Sequence, residues 1–176
     1  MKLTGEHLDL SPLSAPELAL ALADYAGLEQ ALGLNVTATA TLMDDEEMRY
    51  AMRVRHAKVL QDEENYCWLT MWAIIHREQR QLIGFLILKG RPNEQGEVIV
   101  GYVLDERYWG QGYATEALRQ ITAWIFSHPG ARWVIADTEK DNLASHRVLQ
   151  HLGAELYRET EDLFWWRIAR PASSRS

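Results

Sequence analysis

A short glycine-containing segment is the first feature of this sequence whose spacing suggests binding chemistry. Residues 107–114 connect an apolar, β-branched run at 98–104 to a helical pattern. Gly110 and Gly112 permit a tight turn and let a ligand approach the main chain without a Cβ in the way. The free amides and the dipole of the following helix favour an anion, and Arg107 could add a charge-assisted hydrogen bond. A pyrophosphate fits this description, but glycines at this spacing predict a ligand-free turn equally well.

Two common phosphate motifs are excluded, and a second segment adds polar groups. Thr115 occupies the last glycine position of a dinucleotide-binding motif, and no Gly-Lys-Ser/Thr triplet of a P-loop follows. Further along, Asn142 opens a predicted helix, Ser145 lies beside it on the same face, and Gly153 ends the helix. Each of these three residues is also an ordinary helix or cap residue, so that interpretation stays open.

The length and composition are those of one folded domain. The chain has 176 residues, of which 47% are hydrophobic and 24% charged, so it can bury a sizeable core and differs from disordered chains. We expect a single domain over residues 1–170. Residues 171–176 are mostly small and polar, and they are expected to form a disordered tail.

Charge and cysteine content narrow the function classes. A net charge of −7 argues against nucleic acid as a partner and is compatible with an amine ligand. The longest apolar runs, at 67–75 and 82–88, fall well short of the ~20 residues that span a membrane. Cys67, the only cysteine, lies in an apolar run and is expected to be a buried thiol rather than a nucleophile. Without a disulfide or a signal-peptide pattern, we expect a cytoplasmic protein.

Hydrophobic periodicity predicts an α+β protein with a mixed α/β sheet flanked by helices. The predicted order is β-α-α-β-β-β-α-β-α-β-β. Short connections between the three middle strands favour antiparallel neighbours, whereas the strand–helix–strand unit after residue 98 should be parallel and right-handed. Trp165 and Trp166 are consecutive on a strand and therefore point to opposite faces. The predicted strands lie at 8–10, 68–75, 83–88, 98–104, 133–136, 155–160 and 163–168, and the helices begin near residues 14, 44, 114 and 142.

Taken together, the two polar segments resemble the GNAT superfamily of N-acetyltransferases. Its acetyl-CoA signature, Q/R-x-x-G-x-G/A, is matched at Arg107, Gly110 and Gly112. The resemblance is strong over residues 96–154 and is closest to the Rim branch. That branch includes enzymes that acetylate the N-terminal amines of ribosomal proteins, and relatives that act on small amines. The motifs that carry this closer resemblance are 101–102, 108–117, Asn142, Ser145 and 152–153.

The resemblance implies acetyl-CoA as the cofactor and a place for it. In the GNAT fold two central parallel strands splay apart, and the pantetheine arm pairs with the free edge of one of them. A main-chain amide near Val103 would polarise the thioester carbonyl, the backbone of 111–115 would bind the pyrophosphate, and Asn142 would bind the cofactor arm. The residues assigned to the cofactor are Tyr102, Val103, Leu104, Arg107, Gly110, Gln111, Gly112, Tyr113, Ala114, Thr115, Asn142 and Ser145.

Amide formation from a thioester needs a neutral amine, and the departing thiolate either takes a proton from an acid or leaves as the anion. The pKa of an α-amine, about 7.7–8.0, demands less of a base than that of a lysine, about 10.4. Many family members carry a tyrosine, as general acid, where this sequence has Leu149. The Rim branch often lacks that tyrosine, and the resemblance then makes Ser145 the candidate catalytic acid, or else only a hydrogen-bond partner of the sulfur.

The catalytic base is less evident. Many relatives carry a glutamate at the position of Ile99; Glu97 shares that face of the strand, one pleat earlier. Glu97 is the candidate to relay a proton through water, with a solvated strand-end carboxylate as the alternative. We expect Glu116 to be solvated or ion-paired rather than catalytic. His76, near a strand end, is either a base or, as the more common case, a surface or strand-end histidine.

The sequence therefore predicts an acetyl-CoA-dependent N-acetyltransferase without a metal, since its histidines show no ligand spacing. The expected reaction is direct attack by a primary amine, either a protein N-terminal α-amine or a small amine, in a ternary complex. The protein would act as a monomer or homodimer. Ile99 and Leu149, where relatives carry acid and base groups, favour the alternative of a non-catalytic acyl-CoA-binding or regulatory module with the same fold.

Overall fold

Within the residues that the computed structural model describes, 1–37 and 41–172, eight strands form one sheet with helices on both faces. The strands are β1 (Leu3–Thr4), β2 (Leu8–Pro12), β3 (Met71–His76), β4 (Gln81–Leu88), β5 (Glu97–Leu104), β6 (Trp133–Glu139), β7 (Glu155–Glu159) and β8 (Leu163–Ala169). The helices are α1 (Ala15–Ala23), α2 (Tyr25–Ala31), α3 (Glu46–Gln61), α4 (Tyr113–Phe126) and α5 (Leu143–His151).

The strand order is β1-β2-β3-β4-β5-β6-β8-β7, and every neighbouring pair is antiparallel except β5 and β6. This order confirms the predicted mixed sheet and its parallel strand–helix–strand unit. The β5–β6 pairing ends at Ile99 and Ile135, although both strands continue beyond it. From Val100 to Leu104, β5 is bonded only to β4. The sheet therefore opens at its centre, between the second half of β5 and the second half of β6.

The two faces of the sheet carry separate hydrophobic clusters. One cluster packs α4 and α5 against β2 to β6 and β8, with Leu118, Ile121 and Ile125 on the apolar stripe of α4. The other packs α1 and α3 against β3 and β4, and it contains no described residue of β6, β7 or β8. In the part of the chain that the structure describes, helices thus cover one half of the sheet on both faces and the other half on one face only.

Several helix boundaries follow directly from local sequence. Ser14 and Glu17 form a reciprocal capping box at the start of α1. The apolar pattern predicts that this helix continues to Tyr25, but Asp24 ends α1 and accepts a hydrogen bond from the amide of Gly27 to begin α2. The predicted strand at 68–75 starts late, at Met71, because residues 63–68 form 3-10 turns.

Three further expectations from the sequence concern the C-terminal tail, membrane-spanning helices and metal ligands. Residues 173–176 of the predicted tail lie outside the described residues. Among the described helices, none is both long and apolar enough to cross a membrane. Within the same part of the chain, no group of three or more His, Cys, Asp or Glu side chains is arranged to hold a metal ion.

Candidate functional site

A groove of about 610 Å³ lies where β5 and β6 separate. One wall is the end of β5, from Tyr102 to Leu104, and the opposite wall is one face of α5 along its whole length. The groove ends at the loop between β5 and α4. All the predicted cofactor residues line it except Arg107 and Gln111. The free edge of a strand and the beginning of a helix therefore meet in one cavity.

The loop at this end of the groove presents main-chain donors. Gly110 and Gly112 have φ angles of 73° and 84°, and a Cβ at either position would meet no atom within 4 Å. Such φ angles favour glycine. No described side chain caps α4. Its first internal hydrogen bond runs from the amide of Glu116 to the carbonyl of Gly112, so the amides from Tyr113 to Thr115 have no acceptor within the helix. The helix dipole adds partial positive charge at this position, so the loop is suited to a phosphate or pyrophosphate.

Glu116 anchors this end of α4 to the N-terminal strands. Its carboxylate accepts hydrogen bonds from the main-chain amides of His7 and Leu8 and pairs with His7 Nδ1 at 2.8 Å. Burial would raise the pKa of Glu116, but these hydrogen bonds outweigh burial and hold that pKa below its ordinary value. The hydrogen bond between the Glu116 carboxylate and the His7 ring raises the pKa of His7. Glu116 thus has a positioning role and forms an ion pair with His7 when that ring is protonated, the second of the two alternatives that the sequence left open.

His76 supports the groove from behind. It is buried at the end of β3. Nδ1 accepts a hydrogen bond from the amide of Gln79, so a neutral ring carries its proton on Nε2, which lies 3.1 Å from the hydroxyl of Tyr113. His76 does not line the groove, so its observed contact orients Tyr113.

Two hydroxyls span the groove. Tyr102 on β5 and Ser145 on α5 are hydrogen-bonded at 2.8 Å, although they are 43 residues apart in the chain. Burial raises the pKa of Tyr102, and the hydrogen bond to Ser145 opposes that shift. Asn142 Oδ1 accepts a hydrogen bond from the amide of Ser145, which leaves the side-chain nitrogen of Asn142 as its donor for a ligand. Leu149 is buried in the core and carries no acidic group.

Arg107 and Gln111 are the two predicted cofactor residues that do not line the groove. The Arg107 guanidinium binds the buried carboxylate of Asp105, with contacts of 3.0 and 2.8 Å. That interaction holds the pKa of Asp105 below its usual range and commits the guanidinium to a site outside the groove lining. Gln111 donates to the carbonyl of Arg107. The ionic contact of Arg107 with the phosphates stays a prediction.

Glu97 is also away from the groove. It begins β5, where its carboxylate accepts a hydrogen bond of 2.9 Å from Asn93. Glu97 lies four residues before Gly101, which is in the open part of β5. Four residues of extended strand span about 13 Å. The structure thus corresponds to the alternative of a strand-end carboxylate.

Sequence reasoning missed several residues of the groove. Arg147, Val148 and His151 line it from α5, and their spacing after Ala144 is that of one helical face, which is a usable signal. Trp109 lines it from the loop, is 63% exposed and donates through Nε1 to the carbonyl of Leu104 at 2.7 Å. No sequence pattern indicated that Trp109 would stay exposed.

Comparisons with known proteins agree with this geometry. Residues 13–155 match the family described as acetyltransferase (GNAT) domain. An uncharacterized N-acetyltransferase, YjdG, of Bacillus subtilis (strain 168) is 26% identical over 95 residues, which are 54% of this chain and 56% of that protein. The aligned stretches thus span about half the length of such curated relatives.

Two solved structures share the fold over nearly the whole chain. A ribosomal-protein-S5-alanine acetyltransferase from Vibrio fischeri has a TM-score of 0.67 at 15% identity, covering 97% of both chains. RimL, a ribosomal L7/L12 α-N-protein acetyltransferase solved with coenzyme A, has a TM-score of 0.67 at 17% identity, covering 96% of this chain and 98% of that one. At these identities the likeness establishes the fold alone. The family match over residues 13–155, by contrast, shows that this chain belongs to the GNAT acetyltransferases, whose cofactor is acetyl-CoA.

Proposed function

We propose that this protein transfers the acetyl group of acetyl-CoA to a primary amine by direct attack in a ternary complex. One observation carries the proposal: the free edge of β5 leads directly to the uncapped N-terminus of α4 within one groove. An extended pantetheine arm needs main-chain partners, and a pyrophosphate needs clustered amides. The groove offers both in the order in which they occur in coenzyme A.

The residues present fit this cofactor. The open space around Gly110 and Gly112 leaves room for phosphate oxygens beside the amides of Tyr113 and Ala114. Ile99 and Asp105 bond to β4 through their main chains, so the alternate residues Val100, Tyr102 and Leu104 direct their main-chain groups towards the gap. The bound cofactor supplies an activated thioester carbonyl, and a main-chain amide of β5 would stabilise negative charge on its oxygen. Asn142 would donate its side-chain amide to the arm.

The hydrogen-bonded hydroxyls supply a proton donor for the leaving group. Ser145 is 9% exposed, so its hydroxyl is largely removed from bulk water, and Tyr102 holds it from the opposite wall. If Tyr102 donates to Ser145, the hydrogen of Ser145 is free to bind a sulfur in the groove. We propose Ser145 as the group that stabilises or protonates the departing thiolate.

The proposed acceptor is a primary amine, either a protein N-terminal α-amine or a small amine. Solved structures of the same fold that are named as ribosomal α-N-protein acetyltransferases support the first choice. An α-amine is also the easier nucleophile, because its pKa of about 7.7–8.0 leaves part of it neutral at physiological pH.

Thermal unfolding with acetyl-CoA, and with NAD as the control, tests the cofactor assignment first. At ~100 times its dissociation constant a site-specific ligand adds about 2.7 kcal/mol. For a chain of this size that corresponds to a shift of roughly 5–10 °C. An acetyl-CoA-dependent release of thiol with short peptides or spermidine then tests turnover. A shift with acetyl-CoA but no turnover with any amine would favour the non-catalytic module, and no shift would refute the groove assignment.

A further inference from the structure

One face of the sheet beyond β5 has no helix over it among the described residues. Val134 and Ala136 of β6 face the core beneath α4 and α5, so the alternate residues of β6 face the other side. The same alternation applies to β8, where Trp166 lies in the core and donates to Thr138. We call this side the open face; it carries Ile99, Trp133, Ile135, Asp137, Trp165 and Arg167.

Asp137 occupies a particular position on the open face. The last β5–β6 pair is Ile99 with Ile135, and Asp137 lies one pleat beyond it, where the strands have separated. Gly101 lies at the corresponding pleat of β5 and has no side chain. The gap is therefore flanked on the open face by a carboxylate and by a residue that leaves the passage clear. The groove that holds Tyr102 and Ser145 is on the other side of the same gap.

The carboxylate of Asp137 is not neutralised by a described neighbour. It is half-buried and makes no hydrogen bond or ion pair of 4.0 Å or less with any residue of 1–37 or 41–172. Arg167, on the same face, is paired with Glu155 at 2.7 Å and lies over the ring of Trp133 at 4.4 Å. Arg158 lies over the ring of Trp165 at 5.4 Å. Negative charge at the gap therefore stays available to a ligand.

The surroundings of Asp137 suit a cationic ligand. Trp165 is its register partner on β8, and its ring already attracts a cation, the guanidinium of Arg158 at 5.4 Å. Aromatic rings attract ammonium groups, and a carboxylate beside them pairs with the same charge. The other carboxylates that the described strands place on this face lie at strand ends, at Glu97, Glu139 and Glu155, and Glu155 is paired with Arg167. Asp137 is therefore the one beside the gap.

We propose that Asp137 binds the acceptor amine on the open face and accepts the proton that its nitrogen loses as the amide forms. This inference rests on the proposed function. An acceptor bound as the ammonium first gives one proton to Asp137, which passes it to solvent. The neutral amine then attacks the thioester carbon, a C–N bond forms, and the nitrogen becomes cationic again. As the C–S bond breaks and the thiolate leaves on the groove side, Asp137 takes the nitrogen's proton and releases it to solvent. Asp137 thus takes the role that the sequence suggested for Glu97.

Removal and chemical replacement of this carboxylate test the proposal. Asp137→Ala and Asp137→Asn are assayed for acetyl transfer to short peptides that begin with alanine or serine, and to spermidine. Both should lower kcat/KM about 100-fold, the lower range for a lost acid–base group. The acetyl-CoA-induced thermal shift should stay that of the wild type. Added sodium formate should restore several-fold activity to Asp137→Ala, whereas sodium chloride at equal ionic strength should not.

Glu139→Ala is the matched control, because Glu139 lies on the same strand and face but one pleat further from the last β5–β6 pair. It should keep wild-type kcat/KM. Wild-type kcat/KM in both Asp137 variants would overturn the inference and leave the proposed function intact. A loss in Glu139→Ala equal to that in Asp137→Ala would also overturn it, as would a loss that formate does not restore. A wild-type protein that binds acetyl-CoA but acetylates none of these amines would overturn the proposed function, and this inference with it.

Discussion

One added methyl group at Gly112 should separate cofactor affinity from stability. Gly112 precedes α4 with φ 84° and ψ 4°, lines the groove, and has open space where a Cβ would be. In Gly112→Ala the left-handed backbone costs about 1 kcal/mol in the free protein, which lowers the melting temperature by roughly 2–4 °C. No contact within the protein adds to that cost.

The effect on binding should be larger, because the methyl group enters the space beside the helix amides. A phosphate displaced from those amides loses hydrogen bonds to charged oxygens, each of which contributes about 1.5–3 kcal/mol. Loss of one such bond raises the dissociation constant of acetyl-CoA at least tenfold, since about 1.4 kcal/mol corresponds to a factor of ten.

Gly33→Ala is a matched control. Gly33 has φ 75°, equally open space at its Cβ, and a position outside the groove. Calorimetric titration with acetyl-CoA and thermal unfolding, applied to both variants, should give similar losses of melting temperature but weaker binding only for Gly112→Ala. Unchanged affinity in Gly112→Ala, or equal weakening in Gly33→Ala, would refute the assignment of this loop to the cofactor.

Three further predictions concern the hydroxyl pair, the helix anchor and a buried carboxylate. Ser145→Ala should lower kcat at least tenfold with little change in the affinity for acetyl-CoA, and Tyr102→Phe should lower kcat less; equal kcat in wild type and Ser145→Ala would remove Ser145 from the reaction. Glu116→Gln should destabilise the protein most between about pH 5 and 6. The pKa of His7 is raised in the folded state, so the stability that protonated His7 contributes is fully present below its unfolded pKa and is lost as pH rises through its folded pKa. The pKa of Glu116 is lowered in the folded state, so the stability that its carboxylate contributes is lost as pH falls through its folded pKa. A destabilisation that stayed constant from pH 5 to 9 in thermal unfolding would contradict this coupling. Asp105→Asn should lower the free energy of unfolding by about 1–3 kcal/mol at pH 7, measured in urea, because it leaves the Arg107 guanidinium without its charge partner. The difference from wild type should shrink as pH falls below 4, since the pKa of Asp105 is held down in the folded state. A difference that does not depend on pH would argue against the ion pair.

Local features of this protein could be predicted from the sequence. The capping box of Ser14 and Glu17 involves residues one helical turn apart, and the turn at Gly110 and Gly112 depends on backbone freedom that other residues rarely have. The strand–helix–strand unit after residue 98 follows from connection length and chain handedness. These features depend on a few neighbouring residues, so each can be inferred without knowledge of the rest of the chain. The family motifs extend this inference to the groove, because one motif, at 107–115, follows β5 and the other, with Asn142 and Ser145, follows β6.

Tertiary structure alone decided how distant residues are used. Arg107 could serve a phosphate by its charge, and only the fold shows that its guanidinium binds the buried carboxylate of Asp105. The contacts of Glu116 with His7 and of Tyr102 with Ser145 join residues 109 and 43 positions apart. Asp137 becomes a candidate for binding the amine only because β5 and β6 separate one pleat before it. Side-chain chemistry is a property of the sequence, whereas strand register and the place at which pairing ends depend on how all the elements pack together, so only the folded chain shows which groups meet at the gap.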